Sequence, residues 1–221
     1  SITNRLLPLL LFANNQTAIK NLLFAEDTIV MLNAIYDLGV EFEYNSSQKK
    51  IYKKSQSYTP NNNKIYLGYA GTAYRFLLPL LLKFENNSFV LTGEPELFKR
   101  PITELTTAIT QLVDGKIQHN SLTNELNINI KKIDISKKII EIDANKSSQF
   151  LSALLLTLPM IFNELQIISK NEIISKTYID LTLQILNDLD IYINNNDYKI
   201  FSWHTKQKPN FQEYNITGDF S

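Results

Sequence analysis

The chain has 221 residues, of which 44% are hydrophobic, and its 22 basic and 22 acidic residues give a formal net charge of zero. This size allows a large buried core, and the zero charge provides no global field toward nucleic acid or an acidic membrane. Neither is therefore an expected partner. The absence of cysteine excludes disulfides and a thiolate nucleophile. No apolar run approaches the roughly 18 to 20 residues of a membrane span, and no signal-peptide pattern is visible, so we expect a cytoplasmic protein.

A block of leucines occurs three times and predicts a repeated architecture. Residues 6–11 (LLPLLL) recur letter for letter at 77–82, and residues 151–156, followed by Pro159, form a looser third copy. Internal repeats of this kind cannot bury their apolar faces alone, so we expect the three to share one core. Because the blocks are apolar on nearly every side, their helices are expected at the centre of the fold. A hydroxyl residue stands shortly before each block: Ser1, Thr72 and Ser148.

Between the leucine blocks the predicted elements follow a fixed order. Helical periodicity predicts a second helix after each block, over residues 28–40, 101–113 and 179–191. Alternating or β-branched residues predict short strands over 17–23, 40–44, 88–91, 125–130, 139–142, 166–168, 191–193 and 198–203. Asparagine-rich segments predict turns at 61–63, 86–87 and 194–197. The sequence therefore predicts an α/β fold in which a unit of strand, helix, strand, helix, strand and strand occurs three times.

The starts of the predicted helices carry groups that bind anions. Residues 71–75 (GTAYR) place a glycine, a hydroxyl and an arginine directly before a leucine block, and residues 1–5 (SITNR) precede the first block. Residues 99–101 (KRP), 147–149 (SSQ) and 175–178 (SKTY) precede three other helices. Backbone N–H groups, hydroxyls and arginines at helix N-termini suit oxyanions. Each segment alone is also typical of a helix cap, but the helix macrodipole disfavours arginine at this end unless an anion is present.

Taken together and in this order, these segments resemble the signature motifs of the 5-enolpyruvylshikimate-3-phosphate synthase family. The resemblance extends over essentially the whole chain and is carried by residues 1–5, 71–75, 91–95 (LTGEP), 99–102, 147–151 and 175–180. It implies transfer of the enolpyruvyl group of phosphoenolpyruvate to the 5-hydroxyl of shikimate 3-phosphate, with release of phosphate, in aromatic amino acid biosynthesis. It also implies that each of two similar domains packs three strand-helix repeats, with helices inside and sheets outside.

The resemblance further implies the roles of individual residues. Contacts to shikimate 3-phosphate are expected from Ser1, Arg5, Ser147, Ser148, Gln149, Ser175 and Tyr178. Contacts to phosphoenolpyruvate are expected from Gly71, Thr72, Arg100 and Gln149. No cofactor and no metal are implied. The residues agree with the latter expectation, because His119 and His204 are isolated from each other and from carboxylates at ligand spacing.

Only one of the family's two domains is matched. The family's catalytic lysine stands immediately before the position of Ser1, and residues 218–221 (GDFS) resemble the point where the chain crosses into the second domain. That domain supplies the acid and base groups, so no catalytic residue is expected within residues 1–221. We expect these residues to form a single domain, the substrate-binding half of a two-domain enolpyruvyl transferase. Its partner would be the second domain of the same polypeptide, and alone it would bind shikimate 3-phosphate without turnover.

Three other interpretations are open at this point. The UDP-N-acetylglucosamine enolpyruvyl transferases share the fold, but they lack the Ser-Ser-Gln and Ser-Lys-x-Tyr segments and usually carry a reactive cysteine. A second alternative is a non-catalytic domain that keeps the phosphate-binding groups for a regulatory or structural purpose. The third is a structural α/β domain with well-capped helices, which predicts no affinity for shikimate 3-phosphate.

Overall fold

The helices and strands of the computed structural model follow a repeating order over residues 2–218, the part of the chain that the structure describes. The helices of this part are α1 (Ile2–Leu9), α2 (Glu26–Asp37), α3 (Gly71–Leu80), α4 (Pro95–Phe98), α5 (Thr103–Thr110), α6 (Ser148–Leu155) and α7 (Lys176–Asp188). The strands are β1 (Ala18–Lys20), β2 (Val40–Asn45), β3 (Lys50–Gln56), β4 (Lys64–Tyr66), β5 (Asn87–Thr92), β6 (Val113–Asn120), β7 (Glu125–Ile133), β8 (Ile139–Ile142), β9 (Leu165–Ser169), β10 (Asn194–Asn196), β11 (Ile200–Trp203) and β12 (Glu213–Asn215).

Each repeat builds one four-stranded sheet. The strand orders are β12-β1-β3-β2, β4-β5-β7-β6 and β10-β11-β9-β8. In each sheet one pair is parallel, namely β12 with β1, β4 with β5 and β8 with β9, and the other neighbours are antiparallel. The second and third repeats run strand, helix, strand, helix, strand, strand, and α4 is a short addition to the second. The first repeat begins at α1, and β12 supplies its leading strand. The threefold unit expected from the sequence is confirmed.

The leucine blocks form the centre of the molecule because their helices are buried on every side. Every residue of α1, α3 and α6 is buried except Ile2, Thr72 and Gln149, which lie near the helix N-termini. The strands bury alternate side chains, as in β8, so that one face of each sheet covers the helices and the other meets solvent. The first helix of each repeat therefore lies inside and the sheets lie outside, while the second helices, α2, α5 and α7, keep one exposed face. Within residues 2–218, no helix has the length and apolar character needed to cross a bilayer.

Some boundaries differ from those expected. Residues 191–193, expected as a strand, belong to none, and the strand lies instead at Asn194–Asn196, where a turn was expected. These asparagines pair with β11 at the edge of the third sheet, because backbone hydrogen bonds to a neighbour outweigh a weak side-chain preference. The helix expected over 101–113 begins at Thr103 and leaves Pro101 outside. The sequence analysis also misses β3, β4, β6 and β12, which are short or rich in polar residues.

Candidate functional site

The N-terminal ends of four helices surround one cavity of about 370 Å³. It lies between α1, α3, α6 and α7, which pack against one another in the core. The start of a helix carries backbone N–H groups and a partial positive charge, so four helix starts around one cavity favour an anion. The lining residues are Arg5, Thr72, Arg75, Lys146, Ser147, Ser148, Gln149, Ile174, Ser175 and Tyr178.

Gln149 connects α3 to α6 at the floor of this cavity. Its Oε1 atom accepts a hydrogen bond of 2.5 Å from Nη1 of Arg75, and its Nε2 atom donates one of 3.3 Å to Oγ1 of Thr72. A second guanidinium nitrogen of Arg75 donates to the carbonyl of Pro101 at 3.2 Å. The side chains of Thr72, Arg75 and Gln149 are therefore oriented before any ligand arrives, which reduces the ordering cost of binding.

Arg75 is a buried cation, with 9% of its surface exposed. Its Nε atom is buried without a hydrogen-bond partner among residues 2–218, and no ion pair of this part of the chain involves it. Burial and the nearby charge of Arg100 lower the pKa of Arg75, although an arginine stays protonated near neutral pH. A charge in this position is costly to the fold unless something negative binds beside it.

Arg5 is held in place by α7. Its Nε atom donates to Oγ1 of Thr182 at 2.8 Å, and Nη2 donates to the carbonyl of Tyr178 at 3.3 Å. The guanidinium also lies over the rings of Phe76 and Tyr178, with its central carbon 5.7 and 5.8 Å from the two ring centroids. Arg5 is 3% exposed. These contacts fix a second positive charge at the wall of the same cavity.

The serines separate into one that caps a helix and two that do not. Ser147 is the N-cap of α6, and its hydroxyl accepts a hydrogen bond from the backbone N–H of Gln149 at 3.2 Å. Ser175 precedes α7 in the left-handed region, with φ of 60°, and makes no side-chain cap bond. Neither Ser148 nor Ser175 donates or accepts a side-chain hydrogen bond within the described residues. Helix capping therefore explains Ser147 but leaves Ser148 and Ser175 unexplained.

Gly71 and Arg100 form a second group beside the cavity. The guanidinium of Arg100 packs directly on the backbone of Gly71, so that a β-carbon added there would overlap Nη1 and lie 3.0 Å from Cδ and Cζ. Glycine is needed at this position for close approach rather than for an unusual backbone angle. Gly71 is the first residue of α3, and the next residue, Thr72, lines the cavity. The two groups are therefore contiguous through Thr72.

The structure brings together most of the residues that the sequence analysis assigns to substrates. Gly71 and Arg100 do not line the cavity itself but meet beside it. Ser1, an expected contact, lies outside the described residues. The roles themselves stay predictions. The expected contacts found in the lining are Arg5, Thr72, Ser147, Ser148, Gln149, Ser175 and Tyr178.

Three lining residues were not assigned a role from the sequence. Arg75 was visible in the motif of residues 71–75, but its burial beside Gln149 depends on the packing of α3 against α6. Lys146 directly precedes Ser147, and its Nζ atom pairs with Glu104 at 2.5 Å, which raises the pKa of Lys146. Ile174 is a half-exposed apolar residue next to Ser175. Adjacency to the Ser-Ser-Gln and Ser-Lys segments was the signal available for Lys146 and Ile174.

Metal ligands do not cluster in this part of the molecule. Within residues 2–218 there is no group of three or more His, Cys, Asp or Glu side chains placed to hold a metal ion. The cavity wall instead combines two buried guanidinium groups, an ammonium group, hydroxyls and an amide. Such a wall is chemically suited to an oxyanion bearing hydroxyl groups.

Comparison with known proteins identifies the relatives of this chain. The family model described as EPSP synthase (3-phosphoshikimate 1-carboxyvinyltransferase) matches residues 1–221. A 3-phosphoshikimate 1-carboxyvinyltransferase from Colwellia psychrerythraea is 36% identical over 100% of this chain and 52% of its own length. One from Aliivibrio fischeri is 35% identical over 100% of this chain and 51% of its own length. The chain thus spans about half the length of the curated relatives it matches.

A solved structure supports the fold independently of close sequence similarity. The EPSP synthase from Acinetobacter baumannii superposes with a TM-score of 0.74 at 19% identity, covering 97% of this chain and 47% of that protein. At this identity the likeness concerns the fold alone. Because the family model matches every residue of the sequence, the chain belongs to the EPSP synthase (3-phosphoshikimate 1-carboxyvinyltransferase) family.

Proposed function

We propose that this chain is the substrate-binding half of a two-domain enolpyruvyl transferase. The complete enzyme would transfer the enolpyruvyl group of phosphoenolpyruvate to the 5-hydroxyl of shikimate 3-phosphate and release phosphate, in the biosynthesis of aromatic amino acids. Family membership over residues 1–221 and the half-length match to the relatives support this proposal. The second domain of the same polypeptide is the proposed partner, and a cytoplasmic location stays a prediction.

The observation that carries the proposal is the buried, carboxylate-free charge of Arg75 at the meeting point of four helix N-termini. A buried cation without a counter-charge destabilises a fold, and the helix dipoles at this end add to the cost. An anionic substrate removes both costs, since it supplies the missing negative charge and accepts bonds from the N–H and hydroxyl groups. A structural domain with capped helices has no need of Arg75 there.

We assign the phosphate of shikimate 3-phosphate to the hydroxyls of Ser148 and Ser175, because neither is used by the fold. Arg5, Ser147, Gln149 and Tyr178, together with Ser1, complete the proposed contacts to this substrate. We assign phosphoenolpyruvate to the neighbouring group formed by Gly71, Thr72 and Arg100, with Gln149 shared between the two substrates. Gln149 suits a shared role, since its amide already joins Thr72 to Arg75.

The same proposal holds that these residues bind and orient but do not complete the reaction. Bond formation between the 5-hydroxyl oxygen and the enolpyruvyl carbon, with loss of phosphate, needs proton transfer and charges converging from both sides of a closed site. The proposed contacts of this chain come from one wall only. Binding that stabilises the ground state alone does not raise the rate. We therefore expect binding without turnover.

Calorimetry with the 221-residue chain tests the proposal. We expect shikimate 3-phosphate to bind more tightly than phosphoenolpyruvate, because more of the assigned contacts go to it. Shikimate without its 3-phosphate is the matched probe, and its binding should be much weaker. A chain that binds UDP-N-acetylglucosamine and not shikimate 3-phosphate would instead support the sister family, and one that binds neither would support a structural domain.

A phosphate-release assay then separates the enzyme from a non-catalytic binding domain. The chain alone, mixed with both substrates, should release no phosphate above background. Adding the separately expressed second domain should restore release. Sustained release from the chain alone would overturn the assignment of roles, and binding with no release after addition of the second domain would favour a non-catalytic function.

A further inference from the structure

A second concentration of positive charge lies at the opposite ends of the inner helices. Helices of eight to ten residues are about 12 to 15 Å long, so the segments that follow α1 and α3 emerge far from the cavity described above. Four lysines gather there: Lys53 from β3, Lys83 after α3, and Lys206 and Lys208 from the segment before β12. We call these four residues the lysine cluster.

The lysine cluster forms no ion pair with a carboxylate of the described residues. All ion pairs within residues 2–218 involve other lysines, so no carboxylate lies within 4.0 Å of the four amino groups. One acidic residue, Glu85, lines a neighbouring cavity together with three lysines of the cluster. One of its carboxylate oxygens accepts a hydrogen bond from the backbone N–H of Ile133. Burial, together with the charges of the other cluster members, lowers the pKa of Lys53 and of Lys83 to about 8.

Lys53 uses all of its N–H donors in hydrogen bonds, whereas the other lysines of the cluster do not. The Nζ atom of Lys53 donates to the carbonyls of Leu10 and Ala13 and to Oε1 of Gln56, which uses all three of its protons. Lys83 donates once, to the carbonyl of Leu11 at 2.6 Å, and Lys208 once, to Asn14 at 2.5 Å. An ammonium group has three protons, so Lys83 and Lys208 each have two without a hydrogen bond, although the Lys83 amine also lies 5.1 Å from the centroid of the Phe12 ring.

The amino groups with unused N–H donors lie at a cavity of about 320 Å³ with polar walls. Lys83 and Lys208 line it together with Asn14, Asn15 and Gln56. The Nε2 group of Gln56 is buried and has no hydrogen-bond partner among the described residues. Buried amide donors are nearly always satisfied in proteins. The unused groups at this cavity thus include N–H donors of two charged side chains.

We propose that this cavity is a second anion site, which binds a small oxyanion of the phosphate class. Lys83 and Lys208 would donate to the ligand oxygens and Gln56 Nε2 would provide a neutral donor. Lys53 behind them and Lys206 beside them would contribute charge without contact. The site is separate from the proposed substrate cavity and shares no residue with it.

Helix capping accounts for only part of this arrangement. Lysines at a helix C-terminus are favoured because they bond the last carbonyls and oppose the negative end of the macrodipole. That explains Lys53 and one bond of Lys83. It does not explain Lys206 and Lys208, which come from a distant part of the chain, or the unpaired amide of Gln56. A bound oxyanion explains all of them, since it relieves the mutual repulsion of the amines and satisfies the amide.

An NMR titration of the ¹⁵N-labelled chain with inorganic phosphate tests the site. Backbone amide shifts of Asn14 and Asn15 report on this cavity, and those of Thr72 and Gln149 report on the proposed substrate cavity. Lys208→Gln removes one contacting charge at an exposed position and should weaken the binding seen at Asn14 and Asn15 about tenfold. Lys116→Gln, an exposed lysine on β6 without an ion pair, is the matched control and should leave it unchanged.

The two reporters keep this proposal distinguishable from the proposed function. Absence of phosphate-dependent shifts at Asn14 and Asn15 up to tens of millimolar would overturn the second site, whatever happens at Thr72. Equal weakening in the Lys116→Gln chain would also overturn it, since the effect would then be one of net charge. A parallel titration with glycerol 3-phosphate distinguishes the source of the ligand: tighter binding than inorganic phosphate indicates a phosphorylated metabolite, and equal or weaker binding indicates free phosphate.

Discussion

At the N-terminal ends of the inner helices the buried cations are arginines, and at the C-terminal ends the cations are lysines. Arg75 belongs to α3 and lies near its N-terminus, where the macrodipole is unfavourable to it. Lys53 lies at the far side, where it bonds the carbonyls of Leu10 and Ala13 beyond α1 and the macrodipole favours it. Both are almost fully buried. All three donors of Lys53 are hydrogen-bonded within the fold, whereas Arg75 keeps a buried Nε–H group without a partner among the described residues.

This difference gives a physical criterion for separating structural from functional charges. A buried cation whose donors are all hydrogen-bonded within the fold can be removed only at the expense of stability. A buried cation that opposes the local dipole and keeps an unpaired N–H contributes little to stability, so its presence points to a ligand. Substitution of Lys53 should therefore lower the free energy of unfolding, whereas substitution of Arg75 should weaken ligand binding.

The largest effect is expected from Lys53→Met. This change leaves the carbonyls of Leu10 and Ala13 without their donor, and each unsatisfied buried acceptor costs roughly 1 to 3 kcal/mol. We expect the free energy of unfolding to fall by about 4 kcal/mol in a urea titration. The neighbouring Lys54→Met removes only an exposed pair with Glu43 and should cost less than about 1 kcal/mol. Equal effects of the two changes would contradict the structural role of Lys53.

The next effect is expected from Arg75→Met, and it concerns binding. Loss of a charged donor at the cavity should weaken shikimate 3-phosphate binding about 100-fold, or roughly 3 kcal/mol, measured by calorimetry. The free energy of unfolding should change by less than about 1 kcal/mol, because relief from burying a cation offsets the lost bonds to Gln149 and Pro101. Arg75→Lys keeps the charge but not the planar fork, so it should recover only part of the affinity. A stability loss as large as that of Lys53→Met, with affinity unchanged, would reverse the comparison.

The residues at the two ends of the inner helices also differ in how far the sequence predicts their positions. At the N-terminal end the relevant residues stand in short motifs beside the leucine blocks, such as residues 71–75 and 147–149, so local patterns place them at helix starts. Their convergence on one cavity follows from the threefold repeat, which brings equivalent helix ends together. What the motifs do not reveal is burial. The position of Arg75 against Gln149 depends on how tightly α3 packs on α6.

The lysine cluster at the C-terminal ends of the inner helices could not be predicted, because its residues share no local sequence pattern. Lys53 and Lys208 are far apart in the sequence, and only the sheet topology brings them near the ends of α1 and α3. The same reason hides β12, which pairs in parallel with β1 from the other end of the chain. The polar strand β3 is missed because it reads as a solvated lysine-rich segment, although Lys53 within it is 1% exposed.

A smaller effect separates two adjacent serines at the N-terminal end. Ser148→Ala should weaken shikimate 3-phosphate binding by roughly 1.5 to 3 kcal/mol, because its hydroxyl is assigned to the charged phosphate, and it should leave stability unchanged. Ser147→Ala removes the cap of α6 and should lower the free energy of unfolding by about 1 kcal/mol, in addition to any effect on binding. Calorimetry and urea unfolding on both variants give the comparison. An unchanged affinity of the Ser148→Ala chain would place the phosphate elsewhere.

The smallest effect is a pH dependence that belongs to the C-terminal end alone. The pKa values of Lys53 and Lys83 lie at about 8 in the folded chain, below their ordinary value of 10.5. Between these two limits the unfolded chain binds more protons than the folded chain, so the free energy of unfolding rises with pH through that window. Two unscreened groups would together gain roughly 2.7 kcal/mol between pH 7 and pH 9. Discounting for solvent screening, we expect a gain of about 1 kcal/mol in phosphate-free buffer.

The gain arises mainly because a neutral amine avoids the cost of burying a charge, and further because it no longer repels the neighbouring lysines. It still has two N–H groups for the carbonyls of the helix ends. Lys83→Met removes one of the two titrating groups and should reduce the gain by about half. Arg75→Met should leave it intact, since the arginine does not titrate in this range. A rise that persists in full in the Lys83→Met chain would show that the titrating groups lie outside the lysine cluster.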